Sequence, residues 1–173
     1  MCVLPLVLAP NPVFRQKAEH IDEVDDEVRA QIKAMFETLY LENGIGLGAN
    51  MVGLLKQVIV IDMKDGGHGS PIAMINPQIL KKSDELQSFS EASLSFPGIS
   101  AEVTRPAHVT VAFVNEQGEA CSLAASGFFA TVIQHEMDYL QGRTFLDHLS
   151  RTKRDALMRK YKKSRKNTPN NTG

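Results

Sequence analysis

The chain has 173 residues, of which 43% are hydrophobic and 23% charged, and its formal net charge is −1. This size and composition are normal for a soluble globular protein and predict one domain of ordinary size with a proper core. The only cysteines, Cys2 and Cys121, lie far apart, which argues against a disulfide framework or a thiolate zinc cluster and favours a reducing cytoplasm. The apolar run near the N-terminus is too short to span a bilayer, so no membrane partner is predicted.

The predicted elements, in chain order, contain more strands than helices. Apolar periodicity predicts a strand over 3–8, a helix over 21–43, strands over 57–63, 72–76, 79–89, 101–104, 107–114 and 120–124, a helix over about 127–141, and a basic helix over 151–163. Because strands and helices do not alternate, the predicted class is α+β. We expect one domain over 1–150, followed over 151–173 by a basic C-terminal helix and a disordered tail that begins near residue 166.

Two stretches outside the strands stand out by composition. Residues 44–53 contain four glycines, which let the backbone approach another group closely. This loop lacks a Lys-Ser/Thr ending and precedes a strand, so it is not predicted to hold phosphate. Residues 151–166 contain nine basic residues and one acid, about +8 in charge, which leaves about −9 for the rest. That segment is either a solvated helix or an attachment to anionic RNA.

The stretch Q-H-E-M-D-Y-L-Q-G, residues 134–142, carries the clearest chemistry. His135 and Tyr139 are four residues apart and therefore share one face of the predicted helix. Glu136 is turned by about 100° from His135, as a general base beside a bound metal would be. A metallohydrolase helix of the form H-E-x-x-H would have a second histidine at the position of Tyr139.

Three stretches, in order, resemble the three motifs of the peptide deformylase family. The first, G-x-G-L-A-A-x-Q, is matched by Gly44, Gly46, Leu47 and Ala49, with Gly48 and Met51 off the pattern. The second, E-G-C-L-S, is matched by Glu91, Leu94 and Ser95, with Ala92 and Ser93 off the pattern. The third, Q-H-E-x-D-H-L-x-G, is matched by Gln134, His135, Glu136, Asp138, Leu140 and Gly142, with Tyr139 off the pattern.

The resemblance implies a fold in which antiparallel sheets pack around the central motif helix. It also implies removal of the formyl group from the N-terminal formylmethionine of nascent peptides. Members of this family hold Fe²⁺, or Zn²⁺ or Ni²⁺, by the Cys of the second motif and both His of the third. The Glu of the third motif handles the proton of the metal-bound water. A basic C-terminal extension docks such enzymes at the ribosome, which favours a ribosome contact through residues 151–166.

Carried over residue by residue, the resemblance makes His135 a metal ligand and Glu136 the general acid/base. The backbone N–H of Leu94 becomes one oxyanion donor. The substrate-binding residues would be Gly44, Ile45 and Gly46, which lie along the peptide, with Glu91 nearby.

The departures from the family pattern weaken the expected metal site. Ser93 replaces a thiol of pKa roughly 8.5 with an alcohol that ionises far less readily. Tyr139 replaces an imidazole with a longer phenol of pKa about 10. Because ligand number and geometry set metal affinity, we expect weak or absent metal binding. Met51 replaces the Gln that donates to the oxyanion, a loss of roughly 2.7–4 kcal/mol in comparable sites.

Structural roles for the same residues stay open. His135 could be a structural histidine, Tyr139 a core residue with a bonded hydroxyl, and Ser93 a loop hydroxyl bonded to backbone. Glu136 could hydrogen-bond the Gly-rich loop, and Met51 could fill space in the core. Asp138 is expected to pair with Arg105, since a buried carboxylate needs a partner. Three other residues, His20, His108 and His148, show no ligand spacing and are expected at the surface or in loops, as is His68.

Three functions are therefore compatible with the sequence. The first is a peptide- or ribosome-binding protein that has lost or nearly lost hydrolysis. The second is an active amide hydrolase with a rearranged metal site around His135. The third, a hydrolase with Ser93 as nucleophile and His135 as base, is disfavoured because no G-x-S-x-G elbow surrounds Ser93.

Overall fold

The structure, a computed structural model, describes residues 2–67 and 70–167. These residues contain the α-helices Asp26–Leu41 (α1), Gly127–Leu140 (α2) and Arg151–Lys166 (α3). Short 3-10 helices span Pro12–Arg15, Ala49–Val52 and Phe145–His148. Seven strands complete the described part: Gly46–Gly48 (β1), Val58–Ile61 (β2), Ile72–Lys82 (β3), Leu86–Glu91 (β4), Ala101–Pro106 (β5), His108–Val114 (β6) and Ala120–Ser126 (β7).

The strands form two antiparallel sheets. The larger has the order β1-β2-β3-β6-β7, and the smaller pairs β4 with β5. Strand β2 is buried along its whole length, in agreement with its continuous apolar sequence. The predicted α+β class and the antiparallel sheets around a central motif helix are confirmed.

Helix α2 is the element around which both sheets pack. Ten of its 14 residues are buried, because the helix contacts strands of both sheets. Phe129 and Ile133 join a core cluster with Ile59, Ile61 and Val111 of the larger sheet. The helix ends before Gly142, whose φ is +70°. A Cβ there would lie 2.8 Å from the backbone of Arg15, so only glycine fits this turn.

Several predicted boundaries are wrong. The stretch 3–8 is not a strand. The Leu4 N–H donates to Thr38 Oγ1, and the Thr38 hydroxyl donates to the Leu4 carbonyl, both at 2.9 Å. The backbone of Leu4 therefore bonds a side chain rather than the backbone of a neighbouring strand. The predicted 21–43 helix starts later, where Asp25 caps the Val28 N–H at 2.9 Å, and it ends at Leu41.

The predicted break between the strands 72–76 and 79–89 also lies elsewhere. Strand β3 runs on through Asn76 with a shift of register between Ile75 and Gln78, and β4 begins only at Leu86. Asn76 adopts a φ of +50°, and its amide bonds both the N–H and the carbonyl of Ile21. The bulge therefore joins β3 to the segment before α1.

Helix α3 continues three residues past the predicted end at 163, so Lys166 is helical rather than part of a tail. Residues 168–173 of the predicted disordered tail lie outside the described part of the chain. Tyr161 is buried and donates its hydroxyl hydrogen bond to the Ala9 carbonyl, while Leu157 and Met158 pack on the core.

The domain boundary near residue 150 stays a prediction. Within residues 2–67 and 70–167, no helix is both long and apolar enough to cross a membrane.

Candidate active site

A cavity of about 460 Å³ opens between the segment that leads into β1, the loop after β4, and helix α2. The predicted site residues that line it are Gly44, Ile45, Gly46, Glu91, Ser93, Leu94, His135 and Glu136. Tyr139 and Met51 do not line it; both are almost fully buried behind it. The fold therefore brings together residues from all three motifs, which are separated by about forty residues each.

The glycines of the first motif permit close packing against the other two. A Cβ on Gly46 would lie 2.8 Å from Oε1 of Glu136, and a Cβ on Gly44 would lie 2.7 Å from a methyl of Leu94. Strand β1 is an edge strand of the described sheet, and the Ile45 carbonyl accepts from the Asp62 amide at 2.8 Å. Because peptide groups alternate along an antiparallel strand, those of Gly46 point away from β2, toward the free edge.

His135 is held in place by Glu91. The Nδ1 atom of His135 lies 2.7 Å from Oε1 of Glu91, which leaves Nε2 directed at the site. Glu91 also accepts two hydrogen bonds from Arg105, at 2.8 and 2.9 Å. Both oxygens of Glu91 are therefore engaged, so this carboxylate orients His135. Glu91 also lines the cavity.

The expected pairing of Asp138 with Arg105 is confirmed, with 2.9 Å between Nη1 and Oδ2. Sequence reasoning missed the third partner: Nε2 of His148 lies 2.8 Å from the same oxygen, so His148 is not an isolated loop residue. His148 follows α2 in a short 3-10 helix, and no motif spacing could have linked it to this network.

The electrostatics of the network follow from burial and pairing. Burial raises the pKa of Glu91, but hydrogen bonds from Arg105 and His135 outweigh it and hold that pKa below its ordinary value. Burial lowers the pKa of His135, but the hydrogen bond to Glu91 and the negative charges of Glu136 and Glu91 together outweigh burial and raise that pKa above its ordinary value. Burial raises the pKa of Glu136 to about 7, partly opposed by His135. Oε2 of Glu136 has no hydrogen-bond partner among the described residues.

The two substituted ligand positions bond to each other. Ser93 Oγ lies 2.6 Å from the hydroxyl of Tyr139, and it also accepts the Ser95 N–H at 3.3 Å. Tyr139 has no exposed surface and packs its ring against Phe14, with ring centroids 5.5 Å apart. Burial raises the pKa of Tyr139 well above its ordinary value, so its hydroxyl stays protonated. Tyr139 is thus a core residue with a bonded hydroxyl, and Ser93 has a loop hydroxyl bonded to the backbone and to Tyr139.

Met51 stands at the position where the family pattern has Gln. Its sulfur accepts the Gly48 N–H at 3.3 Å and is turned away from the cavity. A thioether has no hydrogen to donate, so Met51 cannot serve as an oxyanion donor, and that role for the N–H of Leu94 stays a prediction.

The residues at the site do not fit a three-ligand divalent metal. The available donors are Nε2 of His135, a serine hydroxyl and a neutral phenol, and the last two are bonded to each other. In the described part of the chain, no group of three His, Cys, Asp or Glu side chains is arranged to hold a metal ion. Nor does any hydrogen bond of the described residues join Ser93 to His135, as a serine nucleophile and its base would require.

Comparison with known proteins places these features in a family. A family model described as polypeptide deformylase matches residues 3–155. The chain is 50% identical to a peptide deformylase-like protein of Rickettsia conorii over 91% of this chain and 86% of that protein. It is 42% identical to the peptide deformylase of Agrobacterium fabrum, over 95% and 97% of the two chains. The peptide deformylase of Ehrlichia chaffeensis, solved with actinonin, superimposes with a TM-score of 0.89 at 35% identity, covering 95% and 98%.

Proposed function

The chain belongs to the peptide deformylase family, and we propose that it binds the N-terminal segment of a peptide while hydrolysing formyl groups weakly or not at all. The observation that carries this proposal is the 2.6 Å hydrogen bond between Ser93 and Tyr139. It joins the two side chains that stand at ligand positions, and burial raises the pKa of the Tyr139 phenol so that it stays neutral. A neutral alcohol and a neutral phenol are poor ligands for a divalent cation, so we propose that metal binding is weak or absent.

The cavity has two features that suit peptide binding, a free strand edge and an apolar wall. The outward-facing peptide groups of Gly46 lie at a free sheet edge, where an extended peptide can add as a further strand. Ile45, Leu94 and Val132 supply apolar wall suited to a side chain such as methionine. Phe128, which is partly exposed, packs its ring against Phe89 at a centroid distance of 5.3 Å beside this wall.

The test combines three measurements on the full chain. Metal content is determined on protein purified without added ions, formyl-Met-Ala-Ser is assayed for turnover, and peptide binding is measured by calorimetry. We expect less than about a tenth of an equivalent of Fe, Zn or Ni, negligible turnover, and measurable peptide binding. Turnover comparable to that of the Agrobacterium fabrum enzyme, assayed alongside, would refute the proposal.

A second candidate is an active deformylase or amide hydrolase with a rearranged metal site. The observation in its favour is that Nε2 of His135 faces the site in an orientation fixed by Glu91, with Oε1 of Glu136 at 3.9 Å. Stoichiometric metal, together with loss of activity in Glu136→Ala, would establish this candidate. Folded protein that binds no added metal would exclude it.

We further propose that α3 contacts the ribosome. Eight of its nine basic residues are exposed and the ninth, Arg154, is partly exposed, while Tyr161 fixes the helix to the domain. An exposed cationic helix fixed to a domain can bind RNA phosphates in a salt-sensitive manner.

A further inference from the structure

Strand β7 is an edge of the larger sheet that lacks the usual features that block further pairing. It pairs only with β6, in an unbroken register from His108↔Ser126 to Val114↔Ala120. Edge strands of natural proteins commonly carry a charged residue, a proline or a bulge that keeps another strand away. The sequence of β7, A-C-S-L-A-A-S, has no charged residue and no proline, and its unbroken register excludes a bulge.

One row of backbone groups along β7 is available to a further strand. Peptide groups alternate along an antiparallel strand, so every second residue of β7 directs its N–H and C=O away from β6. In the described part of the chain, residues 120–125 make no backbone hydrogen bond except those to β6. Ser122 and Ala124 are small and exposed, so they do not hinder the approach of another backbone.

The start of β7 borders an acidic groove. This groove has a volume of about 570 Å³ and is lined by Ala120 and Cys121 of β7 and by Asp22 and Glu23, which precede α1. Its lining contains no lysine or arginine. The segment 115–119, which joins β6 to β7 at the same end, adds two acids and no base. The edge therefore begins in a negatively charged region.

The end of β7 borders a second groove, whose charge is the opposite. It has a volume of about 380 Å³ and is lined by residues 124–126, by Lys81 and Lys82 of β3, and by His108 of β6. No acid lines it, and Glu85 lies 3.2 Å from His108 rather than beside a lysine. Neither lysine forms an ion pair within the described residues. The lining of this groove is therefore positively charged.

These charges make the edge complementary to itself. When two β7 strands pair antiparallel about a twofold axis, the start of each strand lies beside the end of the other. Each acidic groove is then brought toward the basic groove of the partner, an arrangement that favours association. With the axis at Leu123, all the opposed residues of the two strands are uncharged. A second copy of the chain thus supplies both charges at the ends where they are needed.

From these observations we propose that the chain forms a reversible twofold dimer in which β7 pairs antiparallel with β7 of a second copy and joins the two larger sheets into one. Two strands of seven residues make a smaller contact than stable dimers have, so we expect a Kd on the order of 10–100 µM. At submicromolar concentrations, such as those of a ribosome-binding assay, the chain is then monomeric. The dimer is independent of the proposed peptide binding, because the cavity borders β1, at the opposite edge of the sheet.

The unmodified full chain provides the first test. Sedimentation velocity from about 1 µM to about 1 mM should show a monomer that converts to a dimer. Over the same range, hydrogen exchange of alternate amides of β7 should slow by about fivefold or more, while that of β1 should not change. A chain that stays monomeric up to about 1 mM refutes the proposal and leaves the edge to a foreign strand or to solvent. A dimer in which exchange of β7 does not slow refutes it as well.

A charge on the edge itself should weaken the dimer. Ser122→Lys places a lysine at an exposed position of β7 and should raise the Kd by at least about tenfold. Ser88→Lys makes the same change at an exposed position of β4 and should leave the Kd unaltered. An equal effect of the two variants would contradict pairing through β7. The measurements on the unmodified chain do not depend on how these variants fold.

Exchanging the charges of the grooves tests the antiparallel arrangement. The variants Asp22→Lys/Glu23→Lys and Lys81→Glu/Lys82→Glu each give both grooves one sign, so each alone should dimerise at least about tenfold more weakly. In an equimolar mixture, the heterodimer again opposes grooves of unlike charge at both ends, and its Kd should approach that of the unmodified chain. A mixture that associates no more tightly than either variant alone would refute the opposed grooves.

Discussion

The hydroxyl of Tyr139, on helix α2, lies 2.6 Å from the hydroxyl of Ser93, in the loop that follows β4. This contact joins the second motif to the third across 46 residues of sequence. In a site built on the family pattern, a metal ion would make that connection through a thiolate and an imidazole. In this chain the two side chains are joined by a hydrogen bond between neutral hydroxyls, so the link contributes the free energy of one hydrogen bond.

Removing this hydrogen bond should cost about 0.5–1.5 kcal/mol of unfolding free energy. Tyr139→Phe deletes one hydroxyl and keeps the buried ring, and Ser93→Ala deletes the other. Urea unfolding of both single variants and of the double variant gives the interaction energy. We expect the double variant to lose less than the sum of the singles, by more than about 0.5 kcal/mol. Strict additivity would show that the two hydroxyls do not stabilise each other.

Restoring the family residues together should restore a metal centre. The triple variant Ser93→Cys, Tyr139→His, Met51→Gln is expected to bind about one divalent metal and to gain turnover of formyl-Met-Ala-Ser. Each single variant should gain little, because three ligands act as a unit. Metal content and turnover are measured on all four proteins. A folded triple variant that stays free of metal would mean that the residues around the ligands have also diverged.

The stability of the protein should depend on pH through Glu136. Its pKa of about 7 in the folded protein exceeds the ordinary 4.5, so the folded state holds this proton more tightly than the unfolded state. The resulting stabilisation is complete below pH 4.5 and is lost as the pH rises through 7. Glutamine does not titrate, so Glu136→Gln should not show this loss of stability as the pH rises.

Relative to the unmodified protein, Glu136→Gln should therefore be more stable at pH 8 than at pH 4, by about 1–3 kcal/mol. Denaturant unfolding at both pH values, with Glu102→Gln as the matched control, provides the measurement. An equal effect of Glu136→Gln at pH 4 and pH 8 would contradict a raised pKa in the folded protein.

Gly46→Ala should weaken peptide binding by about tenfold or more. The new methyl group would lie 2.8 Å from Oε1 of Glu136 and 2.9 Å from its Cγ, so the carboxylate must move away from the strand edge. Gly67→Ala is the control, since its Cβ would meet nothing closer than an Asp65 oxygen at 3.6 Å. Calorimetry with Met-Ala-Ser compares the two variants; equal affinities would place the peptide elsewhere.

Neutralising α3 should reduce binding to ribosomes without changing stability. Lys160 and Lys163 are exposed, so Lys160→Gln/Lys163→Gln removes charge but no packing. We expect weaker cosedimentation and a shallower salt dependence, by about two in the slope. Lys81→Gln/Lys82→Gln removes the same charge from exposed positions of β3 and should have no effect. Equal losses in both variants would point to net charge rather than to α3.

The sequence by itself determined the α+β class and the position of the motif helix, and it showed Ser93, Tyr139 and Met51 where the family pattern has Cys, His and Gln. These are local properties: a helix repeats every 3.6 residues, and the chemistry of a side chain goes with its identity. The expected pairing of Asp138 with Arg105 was also accessible, since a buried carboxylate requires a partner.

Only the tertiary structure decided where the polar groups of the site are directed. In the folded protein, both oxygens of Glu91 accept hydrogen bonds from Arg105 or His135. Met51 lies outside the cavity lining with its sulfur bonded to the Gly48 N–H, and His148 hydrogen-bonds Asp138. The fold also paired residues 3–8 with helix α1 and with the 3-10 helix Ala49–Val52 instead of with a strand. These partners are distant in sequence, and the choice among possible hydrogen bonds depends on which groups the folded core leaves without water.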